Sequence, residues 1–210
     1  MSLFVSFEGI EGCGKTTQMR LLRDWLAEQG YDVLATREPG GTRIGDQIRD
    51  ILLKPAHTEM DSHAEILLFS AARAQIVGEM ILPHLERGAV VLCDRFADST
   101  LAYQGYGLGL DLDVLRVITR FATRGLIPDV TFFLELPVEE GLRRKAAGSQ
   151  AEWNRMERKQ VEYHQRVHAG YRSLAQAEPQ RWVSIDAMED IASIQLMIRQ
   201  EVTARLNGDN

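Results

Sequence analysis

Eight consecutive residues, Gly9-Ile10-Glu11-Gly12-Cys13-Gly14-Lys15-Thr16, satisfy the pattern G-x-x-x-x-G-K-[ST] without departure. The chemistry this pattern serves is the grip on a phosphate chain. Glycines let the backbone curl so that successive N–H groups point into one concavity, a nest for an anion. A helix opening near Lys15 adds the positive end of its dipole. Lys15 is placed to reach the β and γ phosphates of a nucleoside triphosphate, and the Thr16 hydroxyl to bind Mg²⁺. Cys13 sits inside the loop, where a small neutral filler is the simpler reading than an activated thiolate.

A second set of chemical groups lies at Asp94-Arg95, where the apolar run 89–93 ends. In an open α/β sheet the ligand crevice lies outside the carboxyl ends of the strands. Asp94 there suits a magnesium-binding acid, and Arg95 suits a second phosphate through its rigid fork. On these two residues alone, an Asp capping a helix beside a solvated Arg reads equally well. Arg37-Glu38-Pro39-Gly40-Gly41-Thr42 follows another apolar run. Pro-Gly-Gly enforces a tight loop, and Thr42 is placed to cap the next helix. No Asn is followed by Lys and no D-x-x-G segment occurs, which argues against a GTPase.

These groups need a scaffold, and the hydrophobic pattern supplies one. Strand-length apolar runs recur at 3–7, 33–36, 89–93, 130–136 and 182–185. Their near-continuous apolarity predicts strands covered on both faces, as in a parallel sheet. Helical spacing fills 15–29, 43–53, 61–87 (bent at Pro83), 112–123, 137–147, 151–177 and 190–206. Alternation of the two predicts one α/β domain over 1–210 with right-handed crossovers. The 210 residues are 45% hydrophobic, enough for a core, and the net charge of −6 argues against a nucleic-acid coat or an anionic-membrane binder. Two cysteines give no disulfide framework, and Met1–Glu8 does not read as a secretion signal, so a cytoplasmic protein is expected.

The combination resembles the thymidylate kinases, bacterial branch, which are nucleoside-monophosphate kinases. The resemblance runs in order along nearly the whole chain. It is carried by Glu8 to Thr17, Arg37-Glu38-Pro39-Gly40-Gly41-Thr42 and Phe69-Ser70-Ala71-Ala72-Arg73-Ala74-Gln75. Asp94-Arg95-Phe96 with Ser99-Thr100, Tyr103-Gln104-Gly105 and Asn154-Arg155-Met156-Glu157 complete it. It implies a three-layer P-loop fold with five parallel strands in the order 2-3-1-4-5, a short lid at about 143–155, and a homodimer. The apolar stripe within 61–82 is a possible interface or ordinary core. The implied reaction moves a phosphoryl group from MgATP to dTMP, giving dTDP and ADP. By matching position, Gly9 to Thr17 would bind ATP, Thr16 and Asp94 the metal, and Arg37 and Arg95 the dTMP phosphate. Phe69 would stack on thymine, Arg73 would hydrogen-bond it, and Ser99, Thr100 and Gln104 would lie nearby. Glu11 would contact the 3′-hydroxyl or the Mg²⁺ shell, and Tyr103 would crowd out a ribose hydroxyl. Taken singly, Phe69 reads as core, Arg73 as a solvated helix charge and Tyr103 as half-buried filler. Two rivals are a kinase for another pyrimidine monophosphate and a slow ATP-hydrolysing switch.

Segment 143–172 carries eight basic and three acidic residues, an excess of positive charge in an acidic chain. The resemblance places the arginine that aids transfer in the phosphate loop or in the lid. Residues 10–13 hold none, so it implies the lid, with Arg143, Arg144 and Arg155 open and Arg144 preferred beside a small-residue flap. Arg158, Arg166 and Arg172 read as solvated, and His164 and His168 as a solvated i,i+4 pair.

Overall fold

The structure, a computed structural model, describes residues 2–147, 154–155 and 159–208. Part of the expected lid (148–153), with Met156, Glu157 and Arg158, lies outside the described residues. Five strands, β1 (Leu3–Glu8), β2 (Val33–Arg37), β3 (Val90–Asp94), β4 (Val130–Glu135) and β5 (Trp182–Asp186), form one parallel sheet in the order β2-β3-β1-β4-β5. Leu3, Val5 and Phe7 of β1 join the core on one face, and Phe4 joins Val91, Cys93 and Phe96 on the other. Burial on both faces explains why the runs read as continuous rather than alternating. Each strand ends on a charged residue: Glu8, Arg37, Asp94, Glu135 and Asp186. The apolar sheet therefore presents its charge along one edge.

The helices are α1 (Lys15–Glu28), α2 (Arg43–Leu53), α3 (Ser62–Ile76), α4 (Leu82–Glu86), α5 (Ala97–Thr100), α6 (Leu112–Thr123), α7 (Val138–Ala147), α8 (Val161–Ala177) and α9 (Ile191–Asn207). Thr42, as expected, caps α2 by accepting the Gly45 N–H at 3.0 Å. Asp61, Asp111 and Asp190 cap α3, α6 and α9 in the same way, satisfying N–H groups that the first turn leaves over.

Three departures from the sequence pattern are informative. The single helix expected over 61–87 is α3, a π turn at Val77–Ile81 and then α4. Pro83 has no N–H to donate and its ring crowds the carbonyl one turn back, so the widened turn just before it absorbs the misfit. This run is long and apolar enough to cross a membrane by composition alone, but Ile66, Ala72, Ile76, Val77 and Ile81 are packed in the core. Residues 97–107, unassigned from sequence, form α5 and a second π turn, Leu101–Gly107, packed beneath α8. Of the helix expected over 151–177, Val161–Ala177 is helical (α8) and Asn154, Arg155, Lys159 and Gln160 are not; 151–153 and 156–158 lie outside the described residues.

Candidate active site

The phosphate loop closes between β1 and α1 as its pattern requires. Gly9 (φ 135°) has no room for a side chain, because a Cβ would lie 2.6 Å from the Leu134 carbonyl oxygen. A Cβ on Gly12 would lie 2.5 Å from the Gly141 carbonyl oxygen, so α7 leans directly on the loop. Ile10 and Cys13 are buried in the core, and Cys13 is the filler its size predicts. The buried Lys15 ammonium donates to the carbonyls of Gly9 (3.1 Å) and Ile10 (2.9 Å), which fixes a positive charge inside the loop. Thr16 Oγ1 donates to Asp94 Oδ2 at 2.8 Å, joining the loop to the end of β3. These hard oxygen donors fit Mg²⁺, which takes one or two protein oxygens and completes its shell with phosphate and water. Asp94 is not a helix cap: Phe96 holds that position for α5.

Arg95 turns the chain out of β3 at φ 70°, a left-handed conformation uncommon outside glycine. Its N–H donates to the Phe7 carbonyl at 2.9 Å, and its guanidinium lies over the Tyr103 ring, 4.9 Å from the centroid. Nη1 donates to Tyr171 Oη (3.0 Å) and Nη2 to Glu11 Oε1 (3.0 Å), which also accepts from Tyr103 Oη at 2.8 Å. Burial works to raise the Glu11 carboxyl, but Arg95 and Lys15 outweigh it and hold the group below the usual carboxylate range. Beneath them lies Glu8, which takes the Phe96 N–H (2.7 Å), Ser99 Oγ (2.6 Å) and Tyr171 Oη (2.7 Å). Burial raises the Glu8 carboxyl, and Asp98 adds to the rise.

The opposite wall is one face of α3. Glu65, Phe69 and Arg73 are spaced i, i+4, i+8 and so line up along the helix. Arg73 is 2% exposed, far from the solvated charge its type predicts. Its three nitrogens donate to Glu38 Oε2 (2.7 Å), Thr100 Oγ1 (3.0 Å) and the Phe96 carbonyl (3.2 Å). Burial pushes the Glu38 carboxyl up to about 7 against the pull of Arg73.

Between these walls is a cavity of about 240 Å³. Of the residues singled out in the sequence, Glu11, Gly12, Lys15, Thr16, Arg37, Phe69, Arg73, Asp94, Arg95, Ser99, Thr100, Tyr103 and Gln104 line it. Gly9, Ile10, Cys13, Gly14 and Thr17 do not line it. Arg37 lies at its mouth, with Nη2 3.6 Å from Asp46 Oδ1.

The lid arginines are placed differently from the expectation. Arg144 does not line the cavity: it donates to Glu140 Oε1 (2.7 Å) and to the Ala187 carbonyl (3.2 Å) after β5. Arg143 also pairs with Glu140, on the surface. Lys145, one residue on, reaches the cavity. Arg155 is buried on Glu65 and donates through Nε to the Leu52 carbonyl at 3.0 Å, so it is not poised for phosphate. Arg166 holds the Gly107 carbonyl through Nε (3.0 Å) and Nη2 (2.8 Å), and Arg172 pairs with Glu135.

The histidine pair is not solvated. His164 is 1% exposed, with Nδ1 4.0 Å from Glu11 Oε2, because α8 crosses behind the phosphate loop. Sequence reasoning gave Glu8 and Glu38 no role beyond the resemblance, and passed over Glu65 and Arg49. The available signals were a carboxylate closing an apolar strand for Glu8, and the four-residue step back from Phe69 for Glu65.

The family profile for thymidylate kinase matches residues 7–198. Among curated relatives, thymidylate kinase from Roseiflexus sp. (strain RS-1) is 58% identical, covering 92% of this chain and 90% of that protein. Thymidylate kinase from Geotalea daltonii is 48% identical over the whole of both chains. Among solved structures, that of thymidylate kinase from Ehrlichia chaffeensis superimposes with a TM-score of 0.78 at 32% identity, covering 96% of this chain and 98% of that one. The phosphate loop, the strand order and the aromatic and arginine wall thus accompany likeness along nearly the full length: the chain belongs to the thymidylate kinase family.

Proposed function

We propose that this protein transfers the terminal phosphoryl group of MgATP to dTMP, giving ADP and dTDP. One observation carries the reading. A single cavity joins a phosphate-gripping end (Lys15, Thr16, Asp94) to a base-sized slot walled by Phe69, Arg73 and Tyr103. A flat base is held by an aromatic face and a few fixed polar groups. Arg95 and Arg37, which both line the cavity, would hold the 5′-phosphate of the acceptor.

Phosphoryl transfer needs positioning and charge neutralisation more than covalent help. A phosphate monoester oxygen is already a nucleophile, so no side chain has to act as a strong base. Lys15 supplies fixed charge at the donor, and Arg95, backed by Glu11 and Tyr171, supplies it at the acceptor. Thr16 and Asp94 would hold Mg²⁺, which offsets negative charge on the donor phosphates when bound. Tyr103, fixed by Glu11, would exclude a 2′-hydroxyl. The test is steady ADP production from MgATP across a panel of monophosphates. Production that requires dTMP supports the reading, and equal hydrolysis with no acceptor overturns it.

The reading extends to a homodimer, supported by an apolar stripe on α6. Val114, Val117 and Phe121 follow helical spacing and face outward, Phe121 being 87% exposed, with Leu67 exposed on the neighbouring α3. Ile66, Ala72, Ile76, Val77 and Ile81 of the stripe at 61–82 lie in the core, so α6 rather than α3 supplies the greater part of this exposed surface. Phe121→Glu should give a monomer by sedimentation. It also places the protein in the cytosol, in keeping with two buried, unpaired thiols.

A further inference from the structure

Glu65 is a buried carboxyl side chain behind Gln104, which lines the cavity, and the reaction itself has no use for it. Its Oε1 accepts from Gln104 Nε2 at 2.7 Å, and its Oε2 accepts from Arg155 Nη2. Glu65 and Gln104 are each 2% exposed, so water does not compete for either. Arg155 is in turn fixed by the Leu52 carbonyl through Nε and by the Leu53 carbonyl through its own N–H at 3.2 Å.

A primary amide has two faces, one that donates and one that accepts, and alone it can turn either toward a ligand. A carboxylate paired with a guanidinium offers only acceptor atoms. It can meet the amide only through the NH₂ group, and reversing the amide would set two oxygens against each other in a dry site. Gln104 lines the cavity; with one N–H held by Glu65, the amide keeps its nitrogen on the Glu65 side and turns its carbonyl oxygen toward a ligand.

We propose that Glu65 is a positioning residue that fixes the polarity of Gln104 and so selects bases with an N–H at the pyrimidine 3 position. Thymine carries that N–H. Cytosine and its 5-methyl derivative carry a bare nitrogen lone pair there, which would face the amide oxygen lone pairs. A site built to accept a substrate N–H leaves its own acceptor unpaired when that N–H is missing, and this is a strong form of rejection. Arg155 acts through Glu65 by holding its carboxyl group in place.

The inference rests on dTMP being the acceptor, and the experiment separates the two. Wild-type enzyme is first assayed with dTMP and with 5-methyl-dCMP, which share the methyl group and sugar. Absence of dTMP-dependent ADP production would overturn the functional reading itself. Given wild-type activity, Glu65→Gln should lower the kcat/KM ratio of dTMP over 5-methyl-dCMP by about tenfold, because the amide at 104 can then turn over. A purely structural role would lower both substrates by one factor and leave the ratio intact, and that result overturns the proposal. Glu65→Gln leaves the Arg155 charge buried, so Glu65→Gln/Arg155→Met is measured in parallel with the same two outcomes. A further measurement needs no change at Glu65. In wild-type enzyme the Gln104 side-chain NH₂ signal, assigned by its loss in Gln104→Met, should stay protected from exchange when dTMP binds. Rapid exchange there would also overturn it.

Discussion

The α3 wall and α7, which leans on the phosphate loop, both carry arginines, and the two sets are held in opposite ways. Arg73 is buried, with three nitrogens on three different partners. Arg143 and Arg144 share the single carboxylate of Glu140 at the surface. The first arrangement costs desolvation and returns one fixed geometry. The second costs little and fixes little, as exposed pairs do. A group that must tell one base from another benefits from the first kind of support. The second leaves the arginines to a single exposed partner. The comparison predicts that conservative changes on the buried side damage function far more than the same changes on α7.

The largest effect should come from the buried donor end. Lys15→Met keeps the length of the side chain and loses the charge held against Gly9 and Ile10. Turnover should fall by about 10³-fold or more, as when a fixed charge meets the transferring phosphoryl group. Circular dichroism should be unchanged, and near-normal turnover would remove the loop from catalysis.

Next is Arg73→Lys, which retains charge but cannot reach Glu38, Thr100 and the Phe96 carbonyl together. Losing a charge-assisted hydrogen bond in a buried site costs about 2–3 kcal/mol. That predicts roughly a 30- to 150-fold loss in kcat/KM for dTMP with little change in KM for ATP. Equal losses for both substrates would break the assignment of α3 to the acceptor side. Tyr103→Ala should act more mildly, lowering the preference for dTMP over its ribose counterpart by about tenfold, read as a ratio of kcat/KM values.

The same contrast explains what could be read before the fold was known. The phosphate loop and the strands are local patterns: one depends on glycine spacing, the other on unbroken apolar runs. Both were legible, with strand ends within one or two residues. Phe69 and Arg73 became legible only through resemblance, because an isolated Phe on a helix reads as core and an isolated Arg as solvated. Glu65, Glu38 and His164 were not legible. Each is polar and buried by an element distant in sequence, Glu65 by 90 residues from Arg155, and no short window records that pairing. Segment 97–107 was missed because its glycines depress helix propensity and its π turn breaks the 3.6-residue period.

The smallest effects belong to the end of α7. Arg144→Lys should leave KM for dTMP within about twofold, since exposed helix pairs contribute little and Arg144 touches Glu140 and the Ala187 carbonyl rather than the cavity. Glu140→Gln probes the other half of the pair. Hydrogen bonds from Arg143 and then Arg144 hold the Glu140 carboxyl down to about 2. A carboxyl depressed on folding binds its proton more weakly in the native state than in the unfolded one. Its support is therefore complete above the ordinary value near 4.5 and is lost as pH falls toward 2. Glu140 is exposed to solvent screening, so the wild-type advantage in Tm over Glu140→Gln should be no more than about 2 °C at pH 7. It should shrink steadily below pH 4.5 and vanish near pH 2, as read from parallel thermal melts. A difference that grows on acidification would mean that Glu140 is a buried, structural partner in α7, and the contrast between the two walls would fail at that point.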